Sequence, residues 1–593
     1  MERMYIIGGP EWQFFAGRHQ AILLSFPRED KHDFIVTNFS TPIKIVIIEL
    51  GANIASALEI AMHIRLSIEQ LQSGVLCPIV FISDLRKDMF LNYGYCSQLF
   101  LTDGIYLCPA SKLEERMELF LPICARDYKK SFLNKINIPP KRGFNHSLAN
   151  QWGASVMSRF VHGGVEIEEI RTIKKDLYFK YITACSAGGV SSLFLEENSS
   201  VTSEESIKID ATGKRILIID DEADKGWESI LKKLLVSAKE IAIIKEKVPN
   251  FKTMTEDAQV HFLSPWDLFI LDLRLDGDAE EGIYDTNDFS GTQILRLIKA
   301  LNRGNQVIMF TASNKAWNYK ALLNAGADGY YIKESPEFMF SMELSRENMI
   351  SFKRDIERCF SRGYLRDFFE FKKSIVPEGK ININKKTKWF LNETQNQLNM
   401  AFELADVART DLMFSHAFVS AFQTFEVLKN FYYPPTFKAV PIIENKEFPY
   451  NRALTNGCSN DIDIVAEPKI DGEESLFNKL SSIYLQIKGQ KDDGFLFILS
   501  QLIRIRNAFI HKKKPLKGTA ITLTDFDLRF PLESSAISGS VRTVLYDLIK
   551  NQYLIEYWDS RRNRNSIGIY ADIISTKTGL ELVLFCLTRF YNN

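Results

Sequence analysis

The sequence predicts an α/β plus mainly α architecture, in which two successive α/β domains precede a mainly helical domain. Short apolar strands alternate with helical patterns over residues 1–130 and again over residues 214–362. Long helical segments dominate residues 387–593, with some mixed structure added towards the end. At 593 residues the chain exceeds the roughly 250–300 residues that one hydrophobic core supports, so we expect several domains.

The composition is that of an ordinary globular protein. Apolar residues make up 46% and charged residues 25%, and the net charge is −1. These values argue against extensive disorder and against a globally basic surface, so any contact with RNA or DNA must come from a local patch. The cysteines form no Cys-x-x-Cys pair, and no apolar run reaches about 18 residues. We therefore expect a cytoplasmic protein with no membrane segment and no disulfide framework.

The first α/β region extends over residues 1–130. Its strand-like runs are IKIVIIEL (43–50), CPIVFIS (77–83) and GIYLCPA (104–110). An amphipathic helical pattern lies between the first two runs, and this alternation is typical of a parallel sheet. Residues 131–213 follow as a connector that ends in a Ser- and Glu-rich stretch, LEENSSVTSEESIKIDATG, for which we expect an exposed linker.

The second α/β region, residues 214–362, has polar residues where its strands end. The runs KRILIIDDE, WDLFILDLRL, QVIMFTAS and GYYIKES predict buried strands. Asp220 and Asp221 follow the first strand, Asp272 the third, Thr311 the fourth and Lys333 the fifth. Ligands of doubly wound sheets collect outside the carboxyl ends of the strands, so we expect these five side chains to lie together.

Three converging carboxylates with an ammonium predict a phosphoryl-transfer site. Carboxylates repel one another unless a hard divalent cation lies between them, and oxygen ligands of this kind suit Mg²⁺. A hydroxyl and an ammonium can then hold the remaining oxygens of a phosphoryl group that Asp272 accepts. The alternative is that acids at strand ends are solvated loop residues, but five suitable residues in the right order argue against it.

These motifs resemble the receiver domain of two-component response regulators. The resemblance implies that Asp272 is the phosphoacceptor and that a sensor histidine kinase is the partner. The other implied assignments are Asp220, Asp221, Asp272 and the Arg274 backbone carbonyl around Mg²⁺, Thr311 and Lys333 as phosphoryl-binding groups, and Tyr330 as the aromatic that swings inward on activation. One departure is the acidic loop from Asp272 to Gly291, which is longer than usual and either influences the site or is a solvated surface loop.

Residues 1–130 resemble a degenerate copy of the same fold. The runs IVIIEL, CPIVFIS and GIYLCPA would be its third, fourth and fifth strands. Glu49 then takes the phosphoacceptor place, Cys108 the lysine place, and Gly8 and Gly9 the place of the acid pair. Without an acid pair or an ammonium we expect neither Mg²⁺ nor phosphate there, and we expect a protein-docking or dimerising role.

After the second α/β region the sequence predicts a helical connector over 363–386 and an output domain over 387–593. The sharpest motif of the output domain is LIRIRNAFIHKKK, which places Arg506, Asn507 and His511 on one helical run. The motif resembles the Arg-x4-His signature of HEPN ribonucleases. That resemblance implies a helical bundle whose site is assembled across a homodimer.

The residue types of this motif suit RNA cleavage without a metal. Histidine titrates near neutrality, so His511 can take a 2′-OH proton, while the Arg506 guanidinium stabilises the charge that grows on the phosphate. Asn507 can orient either group, and Glu426 in the upstream run FEVLKN is a possible accessory acid. The lysines that can hold the RNA backbone are Lys512, Lys513 and Lys514.

Two other interpretations of the C-terminal region stay open. The basic motif can be a helix end where Lys and His complement the helix dipole, in a non-catalytic adaptor that only dimerises. Residues 540–574 also contain the pattern of a helix, a basic turn and a strand, as in a winged-helix DNA-binding domain with the run RRNR (561–564) as its wing.

The sequence as a whole predicts a phosphorylation-controlled effector. Phosphoryl transfer to Asp272 would regulate a metal-independent HEPN-type endoribonuclease that acts on RNA as a homodimer. A receiver joined to a nuclease looks like the effectors of two-component-style antiphage defence systems, a step that rests on architecture alone.

Overall fold

The computed structural model divides the chain into two compact units, Met1–Ala300 with Asn305–Ser361, and Leu301–Gly304 with Arg362–Asn593. The structure describes residues 2–591 apart from 28–29, 40–41, 52, 68–74, 141–144, 162–166, 187–205, 248–251, 253, 277–284, 313–315, 336–339, 376–384, 434–439, 445–462, 470–475, 489–491, 513–517, 530–536 and 561–562. None of the helices in these ranges is long and apolar enough to cross a membrane.

The first unit begins with a parallel five-stranded sheet. Its elements are β1 (Arg3–Ile7), α1 (Gln13–Arg18), β2 (Ile22–Leu24), α2 (Lys31–Asn38), β3 (Ile43–Glu49), α3 (Ile54–Arg65), β4 (Val75–Leu76), β5 (Ile79–Ile82), β6 (Ile105–Cys108), α4 (Leu113–Arg116), β7 (Ile123–Cys124) and α5 (Tyr128–Ser131). The strand order β2-β1-β3-β5-β6 is that of a doubly wound sheet, while β4 and β7 form a separate antiparallel pair. The three strands predicted from the sequence correspond to β3, β5 and β6.

A second sheet of the same topology follows. Its elements are β8 (Ile209–Asp210), β9 (Arg215–Ile219), α9 (Trp227–Leu234), β10 (Leu235–Val236), β11 (Glu240–Ile244), α10 (Glu256–Leu263), β12 (Leu268–Asp272), α11 (Ser290–Leu301), β13 (Val307–Thr311), α12 (Ala316–Asn324), β14 (Gly329–Ile332) and α13 (Met342–Ser361). The main sheet has the order β11-β9-β12-β13-β14, with every neighbouring pair parallel. Strands β12 and β13 are buried at every position, because helices cover both faces of the sheet.

The described part of the predicted connector, residues 131–213, contains three helices. They are α6 (Asn145–Val161), α7 (Glu168–Lys175) and α8 (Leu177–Ser186). Trp152, Met157 and Phe160 of α6 are buried in one apolar cluster with strands β9, β12 and β13. The end of the predicted linker is also packed, because Ile209 is fully buried in β8, which pairs with β10. Its earlier part, residues 195–205, lies outside the described residues.

The second unit is mainly helical. Its elements are α14 (Tyr364–Ser374), α15 (Lys385–Asp406), α16 (Asp411–Tyr432), β15 (Val440–Glu444), β16 (Asp463–Lys469), α17 (Leu476–Lys488), α18 (Asp493–Ile510), β17 (Thr519–Ala520), α19 (Leu523–Arg529), α20 (Gly539–Lys550), β18 (Leu554–Asp559), β19 (Arg564–Ile569) and α21 (Lys577–Tyr591). The two longest helices, α15 and α16, have 22 residues each and pack against each other. Strands β17, β18 and β19 form an antiparallel sheet in that order.

One apolar core joins the helices of the second unit. It includes Phe418, Phe422 and Phe425 from α16, all fully buried, which recur at intervals of three and four residues and so lie on one helix face. Helix α14, from the predicted connector, contributes Leu365 and Phe368 to the same core. This part of the predicted connector therefore belongs to the packed bundle.

The first testable prediction concerns Gly291, at the start of α11. A Cβ atom there would overlap the Asp272 carbonyl oxygen and lie 2.6 Å from the Leu273 carbonyl oxygen, and neither backbone atom can yield without moving β12. We expect Gly291→Ala to destabilise this domain by about 2 kcal/mol or more, as other overpacked sites do. Thermal unfolding of the full chain measures the effect.

Gly17 in α1 is the matched control, since a Cβ atom there would meet no atom within 4 Å. Gly17→Ala should be neutral or stabilise by about 0.5–1 kcal/mol through the lower backbone entropy of the unfolded chain. Equal melting temperatures for Gly291→Ala and wild type would contradict the close approach of α11 to β12.

Candidate active sites

Four predicted residues meet at the carboxyl edge of the second sheet. Asp272 is the last residue of β12, and the pairing of Leu271 with Ile219 places Asp220 beside it. Thr311 ends β13 and Lys333 directly follows β14. All four side chains are almost fully buried, with at most 3% of their surface exposed. The parallel topology therefore assembles the site as the sequence predicts.

The Lys333 ammonium lies at the centre of this cluster. Its Nζ atom is 2.6 Å from Asp272 Oδ2 and 2.8 Å from Asp220 Oδ2. The aromatic rings of Trp227 and Phe310 lie 5.5 Å and 5.1 Å from the same nitrogen. Burial alone would lower the pKa of Lys333, but the two carboxylates outweigh burial and raise that pKa, so the ammonium stays charged.

Asp221 completes a group of three acids. One carboxylate oxygen from each of Asp220, Asp221 and Asp272 lies within 4.8 Å of the others. Burial, followed by the charges of Asp272 and Asp220, raises the pKa of Asp221 to about 7. Its Oδ1 atom is buried and has no hydrogen-bond partner among the described residues. An unsatisfied oxygen beside two further carboxylates is the donor set that a hard divalent cation prefers.

The two other predicted residues of this site lie at its margin. The Arg274 backbone N–H is 3.5 Å from Asp272 Oδ1, and the Arg274 guanidinium packs over the ring of Phe289. Tyr330 is half-buried in β14, and its ring packs against that of Tyr319 with centroids 4.3 Å apart. The roles of the Arg274 carbonyl and of Tyr330 stay predictions. Residues 277–284 of the acidic loop lie outside the described residues.

The first sheet carries a different set of residues at the same edge. The pairing of Ile7 with Ile48 places Gly8 beside Glu49, where the second sheet has Asp220 beside Asp272. The Glu49 carboxylate accepts a hydrogen bond of 3.1 Å from the Gly9 N–H. A backbone amide thus takes the place of the ammonium as its partner.

The strand register corrects the predicted position of Cys108. Glu49 pairs with Ile82, which pairs with Cys108, whereas Asp272 pairs with Phe310, which pairs with Tyr331. Cys108 therefore corresponds to Tyr331, and the counterpart of Lys333, two residues further on, is Ala110. The prediction for Cys108 was wrong by two residues, because similar strand ends in sequence do not reveal their register.

The predicted nuclease motif lies at the end of α18. The Arg506 guanidinium donates to Asn507 Oδ1 at 3.1 Å and lies 3.6 Å from the Glu426 carboxylate of α16. Glu426 also accepts a hydrogen bond of 2.8 Å from Lys429. Arg506 Nε is buried and has no partner among the described residues. The structure therefore brings together three of the four residues that the sequence analysis proposes for this site.

His511 and the following lysines lie at the exposed end of the same helix. The His511 backbone N–H bonds to the Asn507 carbonyl at 3.0 Å, and its side chain is exposed. Lys512 is exposed and has a left-handed backbone conformation with φ of 48°, which ends the helix. Lys513 and Lys514 lie outside the described residues.

Comparisons with known proteins identify the fold of part of the chain. Residues 24–108 match the family described as iREC, the inactive receiver domain. No curated protein matches the chain. The match confirms the prediction of a degenerate receiver-like α/β domain at the N-terminus.

Solved structures that are similar to part of the chain include receiver domains of response regulators. A CheY-like receiver domain protein from Methanospirillum hungatei JF-1 has 24% identity over 24% of this chain and 99% of its own, with a TM-score of 0.16. The BeF3-activated DrrB receiver domain has 21% identity over 25% of this chain and 99% of its own, with a TM-score of 0.17. TrrA from Thermotoga maritima, in complex with Mg²⁺-BeF, has 24% identity over 23% of this chain and 96% of its own, with a TM-score of 0.16.

The second testable prediction concerns Asp221. Its pKa is raised in the folded chain, so ionisation of Asp221 destabilises the fold. The loss of folding free energy begins above the unfolded pKa of about 3.9 and grows until the pH reaches about 7. Asp221→Asn should raise the melting temperature of the metal-free chain at about pH 8 and much less at about pH 5. It should also reduce the stabilisation that added MgCl2 produces.

The exposed Asp224, on the same loop, is the control, and Asp224→Asn should change neither the melting temperature nor the response to MgCl2. If Mg²⁺ stabilises Asp221→Asn as strongly as wild type, Asp221 is not a metal ligand.

Proposed function

We propose that this chain is a response-regulator effector in which phosphoryl transfer to Asp272 controls the C-terminal output domain. The observation that carries the proposal is the position of the Asp272 carboxylate between a buried ammonium and two further acids. The carboxylate has a charged partner on one side, Lys333, and a candidate cation site on the other. A sensor histidine kinase is the proposed phosphodonor.

The residues of the site have separate roles in this reaction. An oxygen of Asp272 attacks the phosphorus of the donor, so that the bond to the donor breaks as the acyl phosphate forms. Lys333, which stays protonated, and the Thr311 hydroxyl bind oxygens of the transferred group. Asp220, Asp221, Asp272 and the Arg274 carbonyl would hold Mg²⁺, which when bound neutralises charge on the phosphoryl oxygens.

The output of this switch begins at Tyr330. Its ring packs on Tyr319 at the surface of the sheet edge, and Thr311 lies on the neighbouring strand. When Thr311 binds the phosphoryl group, the space beside it opens and Tyr330 turns inward. This movement changes the surface formed by β14 and its neighbouring helices.

The third testable prediction is that the chain takes up phosphate at Asp272. With acetyl phosphate and MgCl2 the wild type should become labelled, and Asp272→Asn should give only background, because it lacks the nucleophilic oxygen. Glu49→Gln is the matched control, since the first sheet lacks the acid pair and the ammonium. Phosphate retained in Asp272→Asn, or lost in Glu49→Gln, contradicts the assignment. Phosphopeptide mapping by mass spectrometry distinguishes these outcomes.

We further propose that the output domain is a metal-independent HEPN-type endoribonuclease. Its support is the contact between Arg506 and Glu426, which joins two helices of the bundle and holds a guanidinium beside the motif. Arg506 would stabilise the phosphate charge, His511 would take the 2′-OH proton, and Asn507 would orient the guanidinium. A homodimer would bring two such motifs together, and antiphage defence is the context that the architecture suggests.

The lysines after the motif complete the proposed RNA site. Lys512 is exposed beside His511, and Lys513 and Lys514 follow it in the sequence. Charge attraction to the RNA backbone is the role proposed for these lysines, and it requires no metal.

A winged-helix DNA-binding domain is the second candidate. Helices α19 and α20 followed by the antiparallel pair β18 and β19 have the element order that this interpretation requires. The charges on α20, the helix that would enter the groove, argue against DNA binding. Arg542 is buried and lies 3.9 Å from Asp527. Lys550 is exposed, but the exposed Asp547 offsets its charge. DNA binding depends on cations that face the phosphates, so the nuclease is the better-supported proposal.

The fourth testable prediction concerns RNA cleavage. The full chain, assayed with and without beryllofluoride and MgCl2, should cleave single-stranded RNA in one of the two states and leave 2′,3′-cyclic phosphate ends. His511→Ala should lower the rate by about 10²–10⁴-fold, because it removes the base. Lys512→Ala should mainly weaken RNA binding. It should also reduce the slope of the log binding constant against log salt concentration by about one.

Three results would count against this assignment. Cleavage that persists in His511→Ala points to another site. Tight duplex DNA binding without cleavage supports the winged-helix alternative, and a dimer with neither activity supports the non-catalytic adaptor.

A further inference from the structure

Helix α6 contacts the loop that carries the acid pair of the receiver site. Its Asn150 side chain is fully buried, and Nδ2 donates to Glu222 Oε2 at 2.7 Å. The Asn150 side-chain oxygen, Oδ1, accepts a hydrogen bond of 3.2 Å from the Trp227 indole N–H. One amide of α6 thus joins both ends of the loop between β9 and α9.

The same helix lies against the loop that follows Lys333. A Cβ atom on Gly153 would be 3.0 Å from the Glu334 carbonyl oxygen, 3.1 Å from its nitrogen and 3.1 Å from the Trp227 ring. A Cβ atom at these distances would be closer than most real contacts, so glycine at this position lets the helix approach the backbone closely. A movement of the loop at Glu334 must therefore push against α6, because no free space separates them.

Each residue that Asn150 contacts is in turn joined to the site. The Glu222 N–H donates to Asp220 Oδ1 at 2.9 Å. The Trp227 ring is fully buried, lies 5.5 Å from Lys333 Nζ and packs edge-on against Phe310. Asn150 is therefore linked to the acid pair through Glu222 and to the ammonium through Trp227.

The helices after α6 continue to the inactive receiver. Lys175 of α7 lies 2.6 Å from Asp30 and 2.7 Å from Asp33, which begin helix α2 of the first sheet. In α8, Leu177 is buried in the core of the first sheet, while Phe179 stacks on Trp152 of α6. Three consecutive helices thus connect the acid–lysine cluster with the N-terminal domain.

We propose that Asn150 is a positioning residue for the phosphoryl-acceptor site, and that α6 transmits the occupancy of this site to the N-terminal inactive receiver. The proposal rests on the proposed function of Asp272. A phosphoryl group adds negative charge beside Asp272 and draws the Lys333 ammonium away from Asp220. Trp227 and the Glu334 backbone follow, and α6 must shift because it is packed against both.

The Asn150 amide also acts before phosphorylation. Glu222 is a fourth carboxylate on the loop of the acid pair, and it directly follows Asp221 in the sequence. The hydrogen bond from Asn150 holds that carboxylate towards α6. Loss of the amide leaves Glu222 free to turn, so the loop holds Mg²⁺ less firmly.

Amide hydrogen exchange of the full chain, measured by mass spectrometry, tests this proposal. Adding MgCl2 and beryllofluoride should protect residues 216–223 and 268–275 in wild type. It should also change the amide exchange rates in residues 145–161 and 168–186 by about threefold or more. Asn150→Ala should keep the protection at the site, lose the response of the two helical segments, and need about threefold more Mg²⁺ for half-saturation.

Two further variants separate positioning from general stability. Ser158→Ala is the matched control, because Ser158 is buried on the same helix and its hydroxyl bonds to the Ser155 carbonyl of that helix. It should respond like wild type. The double variant Asn150→Ala with Glu222→Ala should need no more Mg²⁺ for half-saturation than Asn150→Ala alone, because both substitutions remove the same hydrogen bond.

The outcomes distinguish failure of this proposal from failure of the proposed function. If beryllofluoride protects no segment of wild type, the phosphoryl-acceptor assignment fails. If it protects residues 268–275 while exchange in 145–161 stays unchanged, the role of α6 is refuted and the acceptor site stands. This comparison uses wild type alone, so it tests the role of α6 even if Asn150→Ala does not fold.

Discussion

The buried Lys333 ammonium is the interaction on which the polar cluster of the second α/β domain depends. It forms ion pairs with Asp220 and Asp272, and all three groups have at most 1% of their side-chain surface exposed. Removing such charges from water costs several kcal/mol for each ion, so the domain keeps them only because each has a close partner. One ammonium cannot balance three acids, and Asp221 is the acid left without an ammonium. The excess negative charge makes the site a candidate for a cation.

The two α/β domains show that this cluster is separable from the fold. Both sheets have the same strand order, yet the first has Gly8, Gly9 and Ala110 where the second has two acids and the lysine. Glu49 satisfies its carboxylate with the Gly9 N–H, which needs no buried cation. The apolar strands alone maintain the topology, and the chemistry depends on a few residues at one edge. The N-terminal domain thus keeps the sheet without the acid pair and the ammonium.

The sequence predicts the features that depend on local residue patterns. It does not predict those that depend on contacts between residues far apart in the chain. Buried runs that end in acids located β9 and β12, and the parallel topology then placed Asp220, Asp272 and Lys333 together. Strand β11 is not among the predicted runs. It is an edge strand in which only Ile244 of five residues is buried. The position of Cys108 was wrong because register is a property of pairing between strands. The contact of Asn150 with Glu222 joins residues 72 positions apart, and no local pattern reports it.

The candidate nuclease motif follows a different electrostatic arrangement. In the second α/β domain the Lys333 ammonium has both of its carboxylate partners within 2.8 Å. The nearest Arg506 nitrogen is 3.6 Å from Glu426, which also accepts a hydrogen bond from Lys429. Arg506 Nε is buried without a partner among the described residues. A guanidinium is a planar cation that can bind a phosphate through two N–H groups at once. Under the nuclease proposal, a guanidinium whose contact with its acid is this long can turn towards a phosphate and stabilise the negative charge that develops during RNA cleavage.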